Sequence, residues 1–357
     1  MVVSTKKALV VGASGVIGHA VVRLLQQQSD WTVTGISRRG APAFMVGTPW
    51  ITADINDPDA LKQQSALSDI THVFYAAYAP HPDATEEARI NGSMLGNLLA
   101  GLKAARAPLE RVVLYQGGKV YDLHLGSVPS PTRETQPRHM PPNFYYDLED
   151  VLVAASKENG WSYTLLRPDL VFGAIPGQPL NLAMAIATYA AFCREYQVPF
   201  AFPGNQGAYT SISQATDAGL LARASLWAAT APRAANEAYN VANGDYFRWE
   251  NLWPWLAYQL QLRNAPPLKL KLVEHMRDKA QLWSRLARQH QLVVPNYEEA
   301  VGWGFADAIF NAEHDLMYDL TKLRQHGFHD TVRTDEALVE TIRDLERLKI
   351  VPPLFPR

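Results

Sequence analysis

The chain has 357 residues, 47% of them hydrophobic, and a formal charge of −2. That is enough for a sizeable core, and the near-neutral balance leaves no basic footprint for nucleic acid. One cysteine, Cys193, excludes an internal disulfide and a cysteine-rich metal site, and no apolar run of about 20 residues is there to span a membrane; strand-like residues begin too early for a signal peptide, so a soluble, cytoplasmic protein is expected.

The run at 8–11 reads as a first strand and GASGVIG, with glycines at 12, 15 and 18, as a turn; Val21, Val22, Leu24 and Leu25 then mark a helix. A glycine turn between a strand and a helix lets backbone approach a pyrophosphate at the helix N-terminus. Gly12, Ser14, Gly15, Val16, Ile17 and Gly18 are therefore candidate dinucleotide contacts, and Ser14 and Val16 can offer N–H groups; the bland alternative is a glycine-rich turn without a ligand.

The second strand lies in WTVTGISRR, 31–39, and ends on Ser37, Arg38 and Arg39. An acid at that end would bind the ribose 2′-hydroxyl of NAD, whereas guanidinium groups carry permanent charge and suit a 2′-phosphate. NADPH is expected; a solvated surface turn is the other reading. Asp54, after the third strand candidate, can reach an adenine amino group or serve as an ordinary turn residue. HVFYAA, 72–77, is the fourth strand, and its last residues Ala76 and Ala77 are small enough for the nicotinamide half to lie against backbone, or simply to pack.

RVVLYQGGKVY, 111–121, is a strand that ends in glycines and Lys119; a proline-rich loop at 127–143, a helix at 145–158 and a strand at 163–173 follow. Strands alternating with helices indicate an α/β, Rossmann-type doubly wound parallel sheet. After about 174 the texture changes to helical stretches near 181–196, 216–230, 249–262 and 278–290, with strand candidates at 238–243 and 269–273. This divides the chain into a dinucleotide-binding domain, 1–173, and a smaller, mostly helical substrate lobe, 174–357, with 238–243 a candidate to return to the sheet. The tryptophans of the second half are read as core.

NFYYDLED, 143–150, carries the chemical question. In many nicotinamide-dependent reductases a tyrosine on this helix has a lysine one turn later, on the same face. Here Glu149 follows Tyr145 by four residues and Asp150 follows Tyr146. An acid at that spacing favours a neutral phenol, which weakens alcohol–ketone chemistry and sugar epimerisation. Lys119, beside a glycine pair at a strand end, is not an obvious core choice, and snorkelling to solvent is its alternative.

GASGVIG, SRR, GGKVY and NFYYDLED together resemble the progesterone 5β-reductase and iridoid synthase group, atypical extended short-chain dehydrogenases. The likeness continues through RPDLVFG, NLAMAIATYAAFCREYQVPFAFPG, LWAA, NEAYNVANGDYFRWENLW and HGFHD. It implies Tyr145 as catalytic tyrosine and Lys119 as catalytic lysine, an NADPH-dependent 1,4-reduction of an α,β-unsaturated carbonyl, and a homodimer. Tyr78 stands where the group has an active-site tryptophan, Val120 replaces a histidine, and AYTSISQATD departs from a serine–aspartate-rich loop. Tyr78, Phe172 and residues from Asn181 onward are expected to wall a pocket for a small hydrophobic enone or enal. Tyr146 either packs or orients Tyr145, and Arg167 is read as structural. The rivals are a nucleotide-sugar epimerase or dehydratase, which needs the missing lysine, and a non-catalytic NADP-sensing regulator, which needs neither Lys119 nor Tyr145.

Overall fold

A computed structural model describes residues 5–356. Seven strands form one parallel sheet: β1 (Lys6–Val11), β2 (Trp31–Ser37), β3 (Trp50–Thr52), β4 (His72–Tyr75), β5 (Arg111–Tyr115), β6 (Ser162–Pro168) and β7 (Glu237–Val241). Their order is β7–β6–β5–β4–β1–β2–β3, so the order reverses at β1, between β2 and β4. In such a sheet the crevice beyond the carboxyl ends of the strands at that reversal is where ligands bind.

The longer helices are numbered here in chain order. Strand alternation decides which helix covers which face. Leu9 and Val11 point with Val73, Val112 and Leu114 toward α2 (Ala84–Ala104) and α3 (Phe144–Asn159). Ala8 and Val10 point with Phe74 and Val113 toward α1 (Val16–Leu25) and a later helix, Ala218–Thr230. Both layers are therefore dry, which is why β1 and β4 read as near-continuous apolar runs. Strand β7 lies parallel to β6, with Glu237 opposite Thr164 and Val241 opposite Pro168.

A third apolar cluster lies in the C-terminal half. Helix α4 (Leu182–Tyr196) packs there with residues of Trp249–Gln259, Ala280–His290, Trp303–Phe310 and Thr334–Arg347. Trp249, Trp253, Trp283 and Trp303 are all buried in it. The alternating KLKLV at 269–273 is not a strand. The carboxylate of Asp307 accepts from the backbone N–H groups of Leu272 (2.8 Å) and Val273 (3.0 Å), which starts a short helix at Leu272–His275. Among the described residues no helix is long and apolar enough to cross a membrane.

The glycine turn ties the first helix to the sheet. Gly12 has φ of +80°, and a Cβ there would lie 2.7 Å from the Ala76 carbonyl. A Cβ on Gly18 would lie 2.3 Å from the Gly12 oxygen and 2.7 Å from the Ala13 Cα, both rigid backbone. Gly18→Ala is therefore expected to lever α1 off the turn, at about 1–3 kcal/mol of stability. A urea unfolding midpoint equal to that of the parent protein would contradict this.

Candidate active site

A cavity of about 590 Å³ opens at the carboxyl ends of β1, β2 and β4. Gly12, Ser14, Gly15, Ser37, Arg38, Asp54, Ala76, Ala77 and Tyr78 line it. Helix α1 begins behind Gly15 with no side-chain cap, so its first N–H groups have no intrahelical partner. Gly15 N–H itself closes the turn on the Gly12 carbonyl at 2.9 Å, which leaves the Val16 and Ile17 amides for an anion. An uncapped helix start opening on a cavity that also holds an exposed arginine fits a phosphate-bearing dinucleotide.

Some of the expected contacts have other partners. The Ser37 hydroxyl donates to the Gly40 carbonyl at 2.9 Å and accepts from Trp50 Nε1 at 3.1 Å. Asp54 Oδ1 accepts from both nitrogens of Asn56. Arg39 is exposed beside Arg38 but does not line the cavity. Phe172 lies in the C-terminal apolar core, fully buried. Asn181 is likewise buried: it caps α4 through Ala183 N–H and donates to the Gly173 carbonyl at 2.7 Å. From that segment the cavity is lined instead by Gln178, Pro179 and Leu180.

Lys119 and Tyr145 stand at the Tyr78 end of this cavity without lining it. Lys119 lies in a single 3-10 turn, Gly118–Tyr121, beyond the end of β5 rather than on the strand. Tyr145 lies in the first turn of α3. One side chain joins them. Asn143 accepts from Tyr145 N–H at 3.1 Å, capping the helix, and donates to the Lys119 carbonyl at 2.7 Å. Rings continue the connection to the cavity: Tyr78 stacks on Phe144 at 5.0 Å, and Phe144 meets Tyr145 at 4.0 Å. Gly117 clears space for the phenol, since a Cβ there would sit 2.9 Å from the Tyr145 hydroxyl.

The acid that matters is not the one the helix spacing pointed to. Glu149 is held by Arg167 (3.3 Å), by Gln116 (3.0 Å) and by Arg138 (3.4 Å). Burial first, and then the charges of Glu87 and Asp169, hold the Tyr145 phenol well above its ordinary pKa. Glu149, the acid expected from helical spacing to keep this tyrosine neutral, is not among them; burial leads, and the nearby acids are Glu87 and Asp169. Glu87, in the first turn of α2, accepts a hydrogen bond from the Tyr78 hydroxyl and pairs with Lys119 Nζ at 3.4 Å. Burial pushes the Asp169 carboxyl up to about 6.

Sequence patterning alone did not single out Glu87. Its signal was position: Glu87, Asn91, Leu95 and Leu98 follow helical spacing on one face, and all four are buried. Tyr146 is now distinguished from its neighbour. Its hydroxyl accepts from His139 N–H at 3.1 Å and lies 3.4 Å from the Val120 carbonyl. Arg167 is structural, bonding Gln116 (2.8 Å), Tyr121 (3.2 Å) and the Glu134 carbonyl (3.3 Å).

Comparison with known proteins adds the family. Residues 54–352 match the PRISE-like Rossmann-fold domain. The (S)-8-oxocitronellyl enol synthase of Camptotheca acuminata is 35% identical, over 97% of this chain and 93% of that protein. The 3-oxo-Delta(4,5)-steroid 5-beta-reductase of Arabidopsis thaliana is 32% identical over the same shares. Among solved structures, the UDP-glucose 4-epimerase of Thermotoga maritima aligns with a TM-score of 0.68 at 19% identity, covering 96% of this chain and 99% of that one, a likeness of fold. With a family model that matches residues 54–352 and relatives 32–35% identical over 97% of its length, the chain belongs to the PRISE-like Rossmann-fold family.

Proposed function

We propose that this protein reduces the C=C bond of α,β-unsaturated carbonyl compounds by 1,4-addition, with NADPH as reductant and Lys119 and Tyr145 as catalytic residues. The observation that carries the reading is the Asn143 side chain, which ties the backbone of Lys119 in the β5 turn to the first turn of the helix that carries Tyr145. The position one helical turn after Tyr145 cannot supply a cation, because Glu149 occupies it and is engaged with Arg167 and Gln116. That argues against epimerase chemistry despite the shared fold.

When bound, NADPH supplies the hydride that enters at the β-carbon of the enone. The chain's own residues deal with the charge that results. Negative charge develops on the carbonyl oxygen as an enolate, and preorganised donors lower its energy most effectively. Tyr145 is suited to donate as a neutral phenol, since burial and two neighbouring carboxyl groups oppose its ionisation. Lys119 adds a positive charge from the opposite strand turn. A proton from solvent or from a pocket group then enters at the α-carbon, which completes addition across the C=C bond. The glycine turn and the α1 start would hold the pyrophosphate, and Arg38, at the cavity edge, would meet the 2′-phosphate.

The cavity wall at this end is aromatic and apolar: Tyr78, Pro80, Pro179 and the exposed Leu180. It favours a hydrophobic enone or enal. By their names, one relative reduces a 3-oxo-Delta(4,5)-steroid, a ketone conjugated with a C=C bond, and the other forms an 8-oxocitronellyl enol. A cytoplasmic setting fits the single buried thiol, Cys193.

Three outcomes are expected. With NADPH and a panel containing cyclohexenone, a linear monoterpene enal and progesterone, loss of NADPH absorbance should accompany turnover of at least one of them. Lys119→Ala and Tyr145→Phe should each lower kcat by on the order of 100-fold. Turnover unaffected by either change would remove the catalytic assignment. Arg38→Ala should weaken NADPH binding by about tenfold, the loss of a charge-assisted contact, and leave NADH binding unchanged. Equal weakening of both cofactors would show that Arg38 does not read the 2′-phosphate.

A further inference from the structure

We propose that Glu87 is a positioning residue that holds the Lys119 ammonium and the Tyr78 ring in place together, an inference that rests on the reading of Lys119 as the cation facing the enolate. Glu87 is 8% exposed, and a carboxylate so enclosed needs partners. One oxygen accepts from the Tyr78 hydroxyl; the other faces Lys119 Nζ at 3.4 Å. The helix turn beneath is itself pinned. Asn91 Nδ2 donates to the carbonyls of Glu87 and Ala79, each at 2.8 Å, and its Oδ1 accepts from Ala79 N–H at 2.9 Å. Glu87 therefore projects from a fixed backbone at a fixed height above the Tyr78 segment.

Lys119 is constrained far less without it. Its side chain is 41% exposed, and its other contact is the face of Phe144, with Nζ 5.4 Å from the ring centre. A lysine stem is long and flexible, and its charge is strongly hydrated, so an unanchored ammonium turns to water. The ammonium has three donors. One can stay on Glu87 while another meets the substrate oxygen. The same carboxylate keeps Tyr78 stacked on Phe144, which fixes the wall beside that oxygen.

Two effects of opposite sign meet at Glu87. Its negative charge weakens the ammonium's field at the substrate oxygen. It also keeps the ammonium within reach of that oxygen. Coulomb attraction falls with distance, so the first effect subtracts part of the field, while release of the side chain into water forfeits nearly all of it. Positioning outweighs the opposing charge.

The test uses the full-length enzyme with NADPH and cyclohexenone. Glu87→Gln keeps an acceptor for Tyr78 and removes the anion that faces Lys119. It should lower kcat by about tenfold, as misplacement of a catalytic group does, and leave the NADPH Kd, read by fluorescence, unchanged. In a Lys119→Ala background the same change should alter kcat by less than about twofold, because its target is gone. A raised or unchanged kcat in Glu87→Gln, or an equal loss in both backgrounds, overturns the proposal. A crystal structure of NADP-bound Glu87→Gln tests the same point without turnover: Lys119 released toward solvent supports the proposal, and an ammonium still beside residue 87 overturns it. Failure of the parent enzyme to reduce any enone would count against the catalytic reading, while the position of Lys119 in that crystal would still decide whether Glu87 holds it.

Discussion

The carboxamide of Asn143 is the contact on which the rest of the site depends. Its oxygen caps α3 at Tyr145 N–H, and its nitrogen donates to the Lys119 carbonyl. A helix start and a strand-end turn are thereby held at one separation by a side chain with two bonds in fixed geometry. Helix capping of this kind contributes about 1 kcal/mol to stability. Its greater consequence here is geometric: the turn that carries Lys119 is tied to the first turn of the helix that carries Tyr145, so the two residues do not need to share a helix.

Moving the lysine off the helix frees the position one turn after Tyr145 for another use. Glu149 fills it and enters a network with Gln116, Arg167 and Arg138. Gln116 also donates to the Tyr145 carbonyl at 3.2 Å, so the network braces the first turn of α3 against the ends of β5 and β6. A group that carries charge in one version of this fold carries structure in this one. The electrostatic neighbours of the phenol come from elsewhere, Glu87 on α2 and Asp169 beyond β6, and they oppose ionisation. A phenol kept neutral is poorly suited to shuttling a proton with an alcohol. It is well suited to donating toward an oxygen whose charge develops during reaction.

The architecture was legible where one residue type answers one local need. The glycines at 12, 15 and 18 and the apolar run of β1 each have short-range causes, and the structure shows them in those places. Legibility failed where partners are distant in sequence. KLKLV alternates like a strand, yet Asp307 supplies two acceptors that start a helix instead. Glu87 looks like an ordinary first-turn acid beside Glu86; only the folded chain brings Tyr78 and Lys119 to it. Helical spacing puts Glu149 next to Tyr145, but spacing does not reveal that Arg167 engages it. Phe172 and Asn181 sit one step behind the cavity wall because a strand end and a helix cap both demand burial.

The central claim is that an ammonium from the β5 turn and a phenol from α3 together face the oxygen that becomes an enolate. The most direct measurement is a crystal structure of the protein with NADP+ and a bound, unreacted enone. The account predicts the carbonyl oxygen within hydrogen-bonding distance of both Tyr145 Oη and Lys119 Nζ, with the β-carbon over the nicotinamide. An enone carbonyl turned away from both groups, with Lys119 extended into water, would contradict it.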